Sequence, residues 1–136
     1  MILLDTNICV YIINTRPAEV LARFHQYRLG EIGVSSVVAA ELAYGVAKSG
    51  SERNRRALEM FLAPLEMMPF DEIAVWAYGE LRAVLERRGE SIGSLDTMIA
   101  AHALSLKAVL VTNNTREFSR VEGLRLENWV TQASPR

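Results

Sequence analysis

Short runs of consecutive apolar residues, separated by longer stretches with helical spacing, constrain the fold of this chain more than any other feature. The clearest runs are ILL at Ile2–Leu4 and AVLVT at 108–112. Strands that are apolar on both faces are typical of parallel sheets that helices cover on both sides. Further runs at 32–34, 67–69 and 124–126 complete five predicted strands. We therefore expect an α/β protein whose central, mainly parallel five-stranded sheet lies between layers of helices.

Amphipathic stretches between the strands predict the helices. Thr6 or Asn7 is expected to cap the first helix, and Ser94 the last. Trp76 lies on the apolar face of the longest helix, and we expect it in the core. The predicted helices span 8–13, 17–29, 37–46, 52–65, 72–88 and 95–106.

Length and charge narrow the class of protein. With 136 residues we expect a single domain at 1–130, followed by a flexible C-terminal tail at 131–136. The net charge of −1 gives no global attraction to nucleic acid, so any basic contact must be local. Cys9 is the only cysteine and is expected to be a buried apolar residue. No segment is apolar for long enough to span a membrane, so a cytoplasmic location is expected.

Acidic and amide side chains follow the predicted strands or begin the helices beside them. Asp5 ends the first strand, Glu41 lies on the helix after the second, and Asp96 begins the helix before the fourth. Asn114 and Glu117 follow the fourth strand. Ligands of open parallel sheets bind beyond the carboxyl ends of the strands, where the strand order reverses. Carboxylates that converge there repel one another unless a cation lies among them, and Mg²⁺ and Mn²⁺ prefer oxygen ligands.

Each of these residues also has a structural interpretation. Asp5 could cap a helix, and Asp96 could be a first-turn acid that the helix dipole favours. Glu41 could be a solvated residue on an amphipathic helix, although its sequence neighbours are apolar. Asn114 could simply turn the chain. Asp5 argues most strongly for a site, because an ionised carboxylate is costly to bury without a partner.

A histidine and a basic run also have both a structural and a functional interpretation. His102 lies among apolar residues in IAAHALSL and is expected to pack in the core rather than act in catalysis. Arg55 and Arg56 belong to a basic run on the fourth predicted helix. They are either solvated residues or contacts for an RNA backbone.

The order of these motifs resembles PIN-domain ribonucleases, specifically the VapC toxins of bacterial type II toxin–antitoxin systems. The resemblance rests on LLDTNICVYII, then S-x-x-x-x-E-L-x-Y-G, then D-x-x-I-A-A-H-A, then V-T-N-N-x-x-E-F, and covers nearly the whole chain. It implies a PIN-like three-layer α/β/α fold. It also implies cleavage of single-stranded or loop RNA that depends on Mg²⁺ or Mn²⁺.

The resemblance assigns roles by position. Asp5, Asp96 and Glu41 would be the metal ligands, and Glu117 would join them as a catalytic acid. A water oriented by Glu41 or Glu117 would attack the phosphate in line and leave a 5′-phosphate and a 3′-hydroxyl. Many PIN domains have an acid at the place of Asn114, so the number of metals is left open. Side chains expected to support the ligands or the phosphate are Thr6, Asn7, Thr112, Asn113 and Asn114.

The resemblance also implies partners. A VapB-type antitoxin would bind the toxin, and the chain would form a homodimer, either alone or within a larger toxin–antitoxin complex. Operator DNA would be bound only through the antitoxin. The RNA would be transfer RNA, with the anticodon loop of the initiator as a candidate, and its cleavage would inhibit translation.

Three alternatives remain open at this stage. A phosphatase of the haloacid-dehalogenase type also ends its first strand on a catalytic Asp, but it needs an acid where this chain has Asn7. A PIN scaffold that binds RNA or a partner without cutting would be consistent with Asn114. A PIN-type nuclease for structured DNA would be longer than this chain.

Overall fold

The computed structural model describes residues 1–131 and builds them around one sheet of five parallel strands. The central strand is β1 (Ile2–Leu4), with β2 (Ile32–Ser35) and then β3 (Glu66–Met68) on one side of it. On its other side lie β4 (Val109–Val111) and then β5 (Arg125–Glu127). The prediction of a mainly parallel five-stranded sheet is confirmed, and all four strand pairings are parallel.

The chain reverses its direction across the sheet after β3. Strands β1 to β3 follow one another outward, and the next strand returns to the opposite side of β1. With right-handed crossovers this reversal places the helices before β3 on one face and those between β3 and β4 on the other. The helices are α1 (Thr6–Ile13), α2 (Ala18–Phe24), α3 (Ser36–Ser49), α4 (Glu52–Leu62), α5 (Glu72–Arg87), α6 (Ser94–Leu106) and α7 (Thr115–Phe118).

Strand pairing at the centre of the sheet sets the core. Leu3 pairs with Leu110 on one side and with Gly33 on the other, and all three are buried. Gly33 is required by close approach, because a Cβ there would lie 2.7 Å from the carbonyl oxygen of Glu66 on β3. The apolar strands therefore form the middle layer that the sequence predicts.

The C-terminal part of the described chain is held by a packed aromatic group. Trp129 is fully buried, and its Nε1 donates a hydrogen bond to Glu127 Oε1. Tyr27 stacks on Trp129 with ring centroids 5.6 Å apart, and the guanidinium of Arg23 lies over the same ring. Arg23 also pairs with Glu127 at 2.9 Å. These contacts fix the end of β5 against the region after α2.

Several helix boundaries differ from the sequence prediction, since α3 runs on to Ser49 and α4 already ends at Leu62. Asp5, rather than Thr6 or Asn7, is the N-cap of α1, and Gly93 precedes α6 where Ser94 was expected. The helix predicted at 17–29 ends at Phe24. Beyond it the backbone continues in tighter turns that bring Tyr27 onto Trp129, so tertiary packing shortens the helix.

The prediction that Trp76 lies in the core is wrong. Its side chain is 69% exposed, and its neighbours Ile73 and Val75 on α5 are exposed as well. Periodicity identifies an apolar face, but whether another part of the same chain covers that face depends on tertiary structure.

The predictions that Cys9 and His102 are buried are confirmed, whereas the predicted tail lies mostly outside the described residues. In the part of the chain that the structure describes, no helix combines the length and hydropathy that crossing a membrane requires. The tail predicted at 131–136 lies outside the described residues except for Thr131.

Candidate active site

Asp5 is carried by β1 to the carboxyl edge of the sheet, where the strand order reverses. Its side chain is only 6% exposed. Oδ1 accepts a hydrogen bond from the Thr6 amide at 2.8 Å, and Oδ2 accepts one from Thr112 Oγ1 at 2.7 Å. Burial raises the pKa of Asp5, while the Thr112 and Thr6 hydrogen bonds oppose that shift. Asp5 is therefore both the cap of α1 and a buried acid at the switch point of the sheet.

Glu41 is joined to Asp5 through Thr6. The Thr6 hydroxyl donates to Glu41 Oε1 at 2.7 Å, while the Thr6 amide donates to Asp5. Glu41 is half-buried on α3, and its negative charge contributes to the raised pKa of Asp5. One threonine thus fixes two carboxylates that lie 36 positions apart in the sequence.

Asp96 and Glu117 form a second pair of acids at the same edge. The pKa of Asp96 is raised to about 7, first by burial, then by its hydrogen bond with Glu117 and by the charges of Asp5, Glu117 and Glu41. The pKa of Glu117 is lowered by hydrogen bonds from Asn114 and from Asp96. In the absence of a cation, Asp96 therefore holds the proton that the two carboxyl groups share.

The residues after β4 connect these acids. Thr112 Oγ1, which donates to Asp5, accepts a hydrogen bond from the Asn114 amide at 2.9 Å. The Asn114 side chain donates from Nδ2 to Glu117 Oε2 at 2.7 Å. The neutral amide at position 114 thus orients Glu117, an interaction that a carboxylate at that position could make only in its protonated form.

Asn113 faces a residue that the sequence prediction missed. Its Nδ2 donates to Tyr11 Oη at 3.0 Å, which ties the end of β4 to α1. Nothing in the sequence spacing indicates this contact, because the two residues are 102 positions apart.

Three of the predicted residues lie apart from this cluster. Asn7 is exposed in the first turn of α1 and makes no side-chain hydrogen bond to any of residues 1–131. Arg55 and Arg56 are exposed on α4, where Arg55 pairs with Glu59 at 3.5 Å. None of the three has a hydrogen bond to the four acids within the described residues.

The donor set fits a hard divalent cation. The convergent side-chain ligands are carboxylate and amide oxygens, which Mg²⁺ and Mn²⁺ prefer. Burial, then the hydrogen bond with Glu117 and the charges of the other acids, raise the pKa of Asp96, and a cation would relieve the repulsive part of that shift. Within residues 1–131 no group of three or more acidic, cysteine or histidine side chains is arranged to hold a metal ion, so a cation bound here would take most of its ligands from water.

Two open clefts extend from Thr6 and Glu41. One, of about 340 Å³, runs between α1, α3 and α4 and reaches Asn54, Ala57 and Leu58. The other, of about 670 Å³, lies between α3 and the start of α6 and includes Tyr44. Of the four acids, Glu41 is therefore the one that both clefts reach.

Sequence comparisons agree with this geometry. A PIN-domain profile matches residues 2–124. The ribonuclease VapC2 of Rickettsia felis is 47% identical over 134 residues, which cover 93% of this chain and 96% of that protein. The tRNA(fMet)-specific endonuclease VapC of Shigella flexneri is 45% identical over 128 residues and covers the same shares.

Solved structures of VapBC complexes also contain chains similar to this one. The VapBC2 complex of Rickettsia felis bound to a DNA fragment from its promoter contains a chain that is 46% identical. It superposes with a TM-score of 0.86 over 95% of this chain and 99% of that one. The DNA-bound VapBC of Salmonella typhimurium contains a chain that is 41% identical, with a TM-score of 0.88 over 94% of this chain and 97% of that one.

A parallel five-stranded α/β/α domain with acids gathered at its switch point defines the PIN class of protein. The chain belongs to the PIN-domain family, among the VapC ribonucleases of toxin–antitoxin systems. It is accordingly an endoribonuclease, a hydrolase of RNA.

Proposed function

We propose that this chain is the toxin of a type II toxin–antitoxin pair and cuts transfer RNA with the help of Mg²⁺ or Mn²⁺, so that translation stops. The observation that carries the metal-dependent mechanism is the pairing of Asp96 with Glu117 beside Asp5 and Glu41. Such a group of mutually repelling acids destabilises a fold unless it binds a cation.

Asp5 and Asp96 would hold the cation, with Glu41 completing the acidic ligands directly or through water. When bound, a divalent cation supplies positive charge to a phosphoryl oxygen and makes water a better nucleophile. Asp96 would lose its shared proton on metal binding, because a ligating carboxylate must be ionised.

Glu41 is the better placed of the two acids for orienting the attacking water. Its Oε1 accepts the Thr6 hydroxyl, while Oε2 has no hydrogen-bond donor among residues 1–131. Glu117 already accepts hydrogen bonds from Asn114 and Asp96, and its lowered pKa makes it a weak base. Glu117 would instead keep Asp96 in place and add to the charge around the cation.

The choice of transfer RNA as substrate rests on relatives. The Shigella flexneri and Salmonella typhimurium proteins are named tRNA(fMet)-specific endonucleases and are 45% and 41% identical to this chain. We propose the anticodon loop of the initiator transfer RNA as the first candidate. The acids lie at an open edge of the sheet, which suits a loop that projects from a folded RNA.

A VapB-type antitoxin is the proposed protein partner. The similar structures from Rickettsia felis and Salmonella typhimurium are VapBC complexes bound to DNA. By analogy, operator DNA would be bound through the antitoxin, and both proteins would act in the cytoplasm. A homodimer is also proposed, supported by the exposed apolar side chains of Ile73, Val75 and Trp76 on α5.

Arg55 and Arg56 remain candidate contacts for the RNA backbone. They lie on α4, which borders the smaller cleft through Asn54 and Ala57. If they bind phosphates, replacing both with Ala should weaken RNA binding and reduce its dependence on salt. Unchanged binding and salt dependence would assign them to the solvated surface.

The decisive experiment is cleavage of total transfer RNA by the purified, antitoxin-free chain with Mg²⁺ or Mn²⁺, followed by mapping of the cut ends. We expect discrete cuts with 5′-phosphate and 3′-hydroxyl ends, which disappear with EDTA and in Asp5→Asn. Cyclic phosphate products would contradict the mechanism, because that route uses the RNA 2′-hydroxyl as nucleophile. Cuts that persist in Asp5→Asn would indicate a contaminating nuclease.

A scaffold that binds RNA without cutting it is the alternative, and the similarity to VapC ribonucleases argues against it. The neutral Asn114 favours it, since the site has one acid fewer than many PIN domains. Tight, metal-independent RNA binding by a chain that cuts no RNA would support this candidate.

A further inference from the structure

The larger of the two clefts has a composition that does not suit a phosphate. It opens from Thr6 and Glu41 and is walled by Ala40, Tyr44, Leu95 and Met98. None of its lining residues in the described chain is a lysine or arginine, and Glu41 carries a negative charge into it. A phosphate group would be repelled there, whereas a flat neutral ring could pack against the apolar walls.

Tyr44 is the distinguishing feature of this cleft. It lies three residues after Glu41 on α3, so the two side chains are neighbours on one face of the helix. The Tyr44 side chain is 67% exposed, although it is an aromatic residue with no covering element among residues 1–131. Exposed aromatic rings beside a nuclease site are suited to stacking on unpaired bases.

The opposite wall comes from the helix that carries Asp96. Leu95 is 46% exposed and directly precedes Asp96 at the start of α6. The cleft is thus bounded by the sequence neighbours of two acids, Glu41 and Asp96. An RNA whose scissile phosphate lies at those acids must place an adjacent nucleotide within reach of this cleft.

We propose that this cleft is a nucleobase subsite, in which Tyr44 stacks on the unpaired base next to the scissile phosphate. The proposal rests on the proposed function, because it needs RNA at the acid cluster. The subsite would select which RNA binds, a role that is separate from the metal-dependent cleavage. Tyr44 positions the RNA and takes no part in bond breaking.

The subsite should accept any base. Apart from Tyr44 itself, the Ser36 hydroxyl is the one polar group among the described residues lining the cleft that is not part of the acid network, and its Oγ already accepts a hydrogen bond from the Phe70 amide. Its proton can donate one further hydrogen bond. A single donor discriminates weakly between bases, and stacking itself is tolerant of sequence. The cleft would therefore select single-stranded over paired RNA rather than one base over another.

The test is a coupling experiment on a short RNA that spans the mapped cut. Abasic nucleotides replace the bases flanking the cut, one at a time, and kcat and KM are measured for the wild type and for Tyr44→Ala. We expect Tyr44→Ala to raise KM by about 5- to 30-fold with little change in kcat. One abasic position should raise KM similarly in the wild type and add nothing further in Tyr44→Ala.

Two matched variants separate stacking from other roles. Tyr44→Phe should keep wild-type KM, because the ring and not the hydroxyl carries the contact. Tyr78 lies on α5, and its hydroxyl accepts a hydrogen bond from Arg82. This contact involves none of the four acids, so Tyr78→Ala should behave as the wild type. Unchanged KM in Tyr44→Ala, or additive effects of Tyr44→Ala and the abasic position, would overturn the proposal.

A second copy of the chain is the competing occupant of the cleft. If Tyr44→Ala changes the oligomeric mass and lowers activity equally on intact and abasic RNA, the cleft is an interface between copies and the subsite is wrong. If the wild type cuts no RNA, the proposed function fails instead. Fluorescence anisotropy with the same intact and abasic oligonucleotides then still measures whether Tyr44 and the base are coupled.

Discussion

At the scale of single residues, two threonines organise the acids. Thr6 donates to Glu41 through its hydroxyl and to Asp5 through its amide, and Thr112 donates to the other oxygen of Asp5. The Thr112 hydroxyl stabilises the ionised form of Asp5, which burial disfavours. Both threonines were expected from sequence to support the ligands, and the structure gives each a specific hydrogen-bond partner.

Thr112→Val should destabilise the protein, because it removes a buried hydroxyl without changing the shape of the side chain. Asp5 Oδ2 would lose its donor and the Asn114 amide its acceptor. We expect a loss of about 1–3 kcal/mol in the free energy of unfolding, or roughly 3–15 °C in Tm. Thr112→Ser keeps the hydroxyl and should lose clearly less. Equal melting temperatures for the two variants in thermal denaturation would contradict the assignment.

Asp96→Asn should stabilise the metal-free protein at alkaline pH. The pKa of Asp96 is raised to about 7 in the folded protein, so the folded state keeps a proton that the unfolded chain releases near pH 4. The free energy of unfolding is therefore highest below pH 4, and this part of it is lost as the pH rises through 7. Asparagine does not ionise, so the variant avoids this loss. In EDTA at pH 8 we expect a gain of about 1 kcal/mol, or roughly 3–5 °C in Tm.

The same variant carries its own control. Below pH 4, wild-type Asp96 is protonated in the folded and the unfolded protein, so the two melting curves should nearly coincide. A gain of the same size at both pH values would show that ionisation of Asp96 in the folded protein is not its cause.

At the scale of elements, short strands fix where each acid can lie. β1 is only three residues long, so its end delivers Asp5 directly to the edge of the sheet. α7 turns the chain immediately after β4 and brings Glu117 back toward Asp96. The sequence prediction missed α7, because four residues are too few to show helical periodicity.

Gly33→Ala should separate β2 from β3. The added Cβ would lie 2.7 Å from the carbonyl oxygen of Glu66, which is backbone and cannot move aside without shifting the strand. We expect a loss of about 1–3 kcal/mol in the free energy of unfolding, measured by urea denaturation.

Gly79→Ala is the matched control for this prediction. Gly79 lies in α5, where an added Cβ would have nothing within 4 Å. Because alanine is the better helix former, this change should stabilise the protein by about 0.5–1 kcal/mol. If both variants shift stability in the same direction, strand spacing is not what Gly33 determines.

At the scale of the whole molecule, the acids come from four separate parts of the chain that the sheet brings to one edge. Asp5 caps α1, and Glu41, Asp96 and Glu117 lie on α3, α6 and α7. A cation shared among them would link elements on both sides of the strand-order reversal. Metal binding would therefore be coupled to global stability.

Mg²⁺ should raise the Tm of the antitoxin-free protein as its concentration increases. At 100 times the dissociation constant, binding to the folded state alone adds about 2.7 kcal/mol, or roughly 8–12 °C at this size. Asp5→Asn should abolish the concentration dependence. If Mg²⁺ raises the Tm of Asp5→Asn equally, the ion binds elsewhere and the acid cluster is not its site.

The sequence by itself determined the class of fold and nominated the acids of the candidate site. Five apolar runs predicted the sheet, and acids that follow strands or begin helices predicted its catalytic edge, because both signals depend on residues close together in the chain. The same local signals could not show that Trp76 is exposed, since an apolar helix face needs a covering partner that periodicity does not reveal.

Only the tertiary structure decided how the acids interact. The shared proton of Asp96 and Glu117, the Thr6 link to Glu41 and the contact between Asn113 and Tyr11 join residues from different elements. Burial and charge at such contacts depend on side chains that are 21 to 102 positions apart in the sequence, where spacing carries no information about distance. The sequence therefore nominates the members of the candidate site, and packing sets their protonation and hydrogen-bond partners.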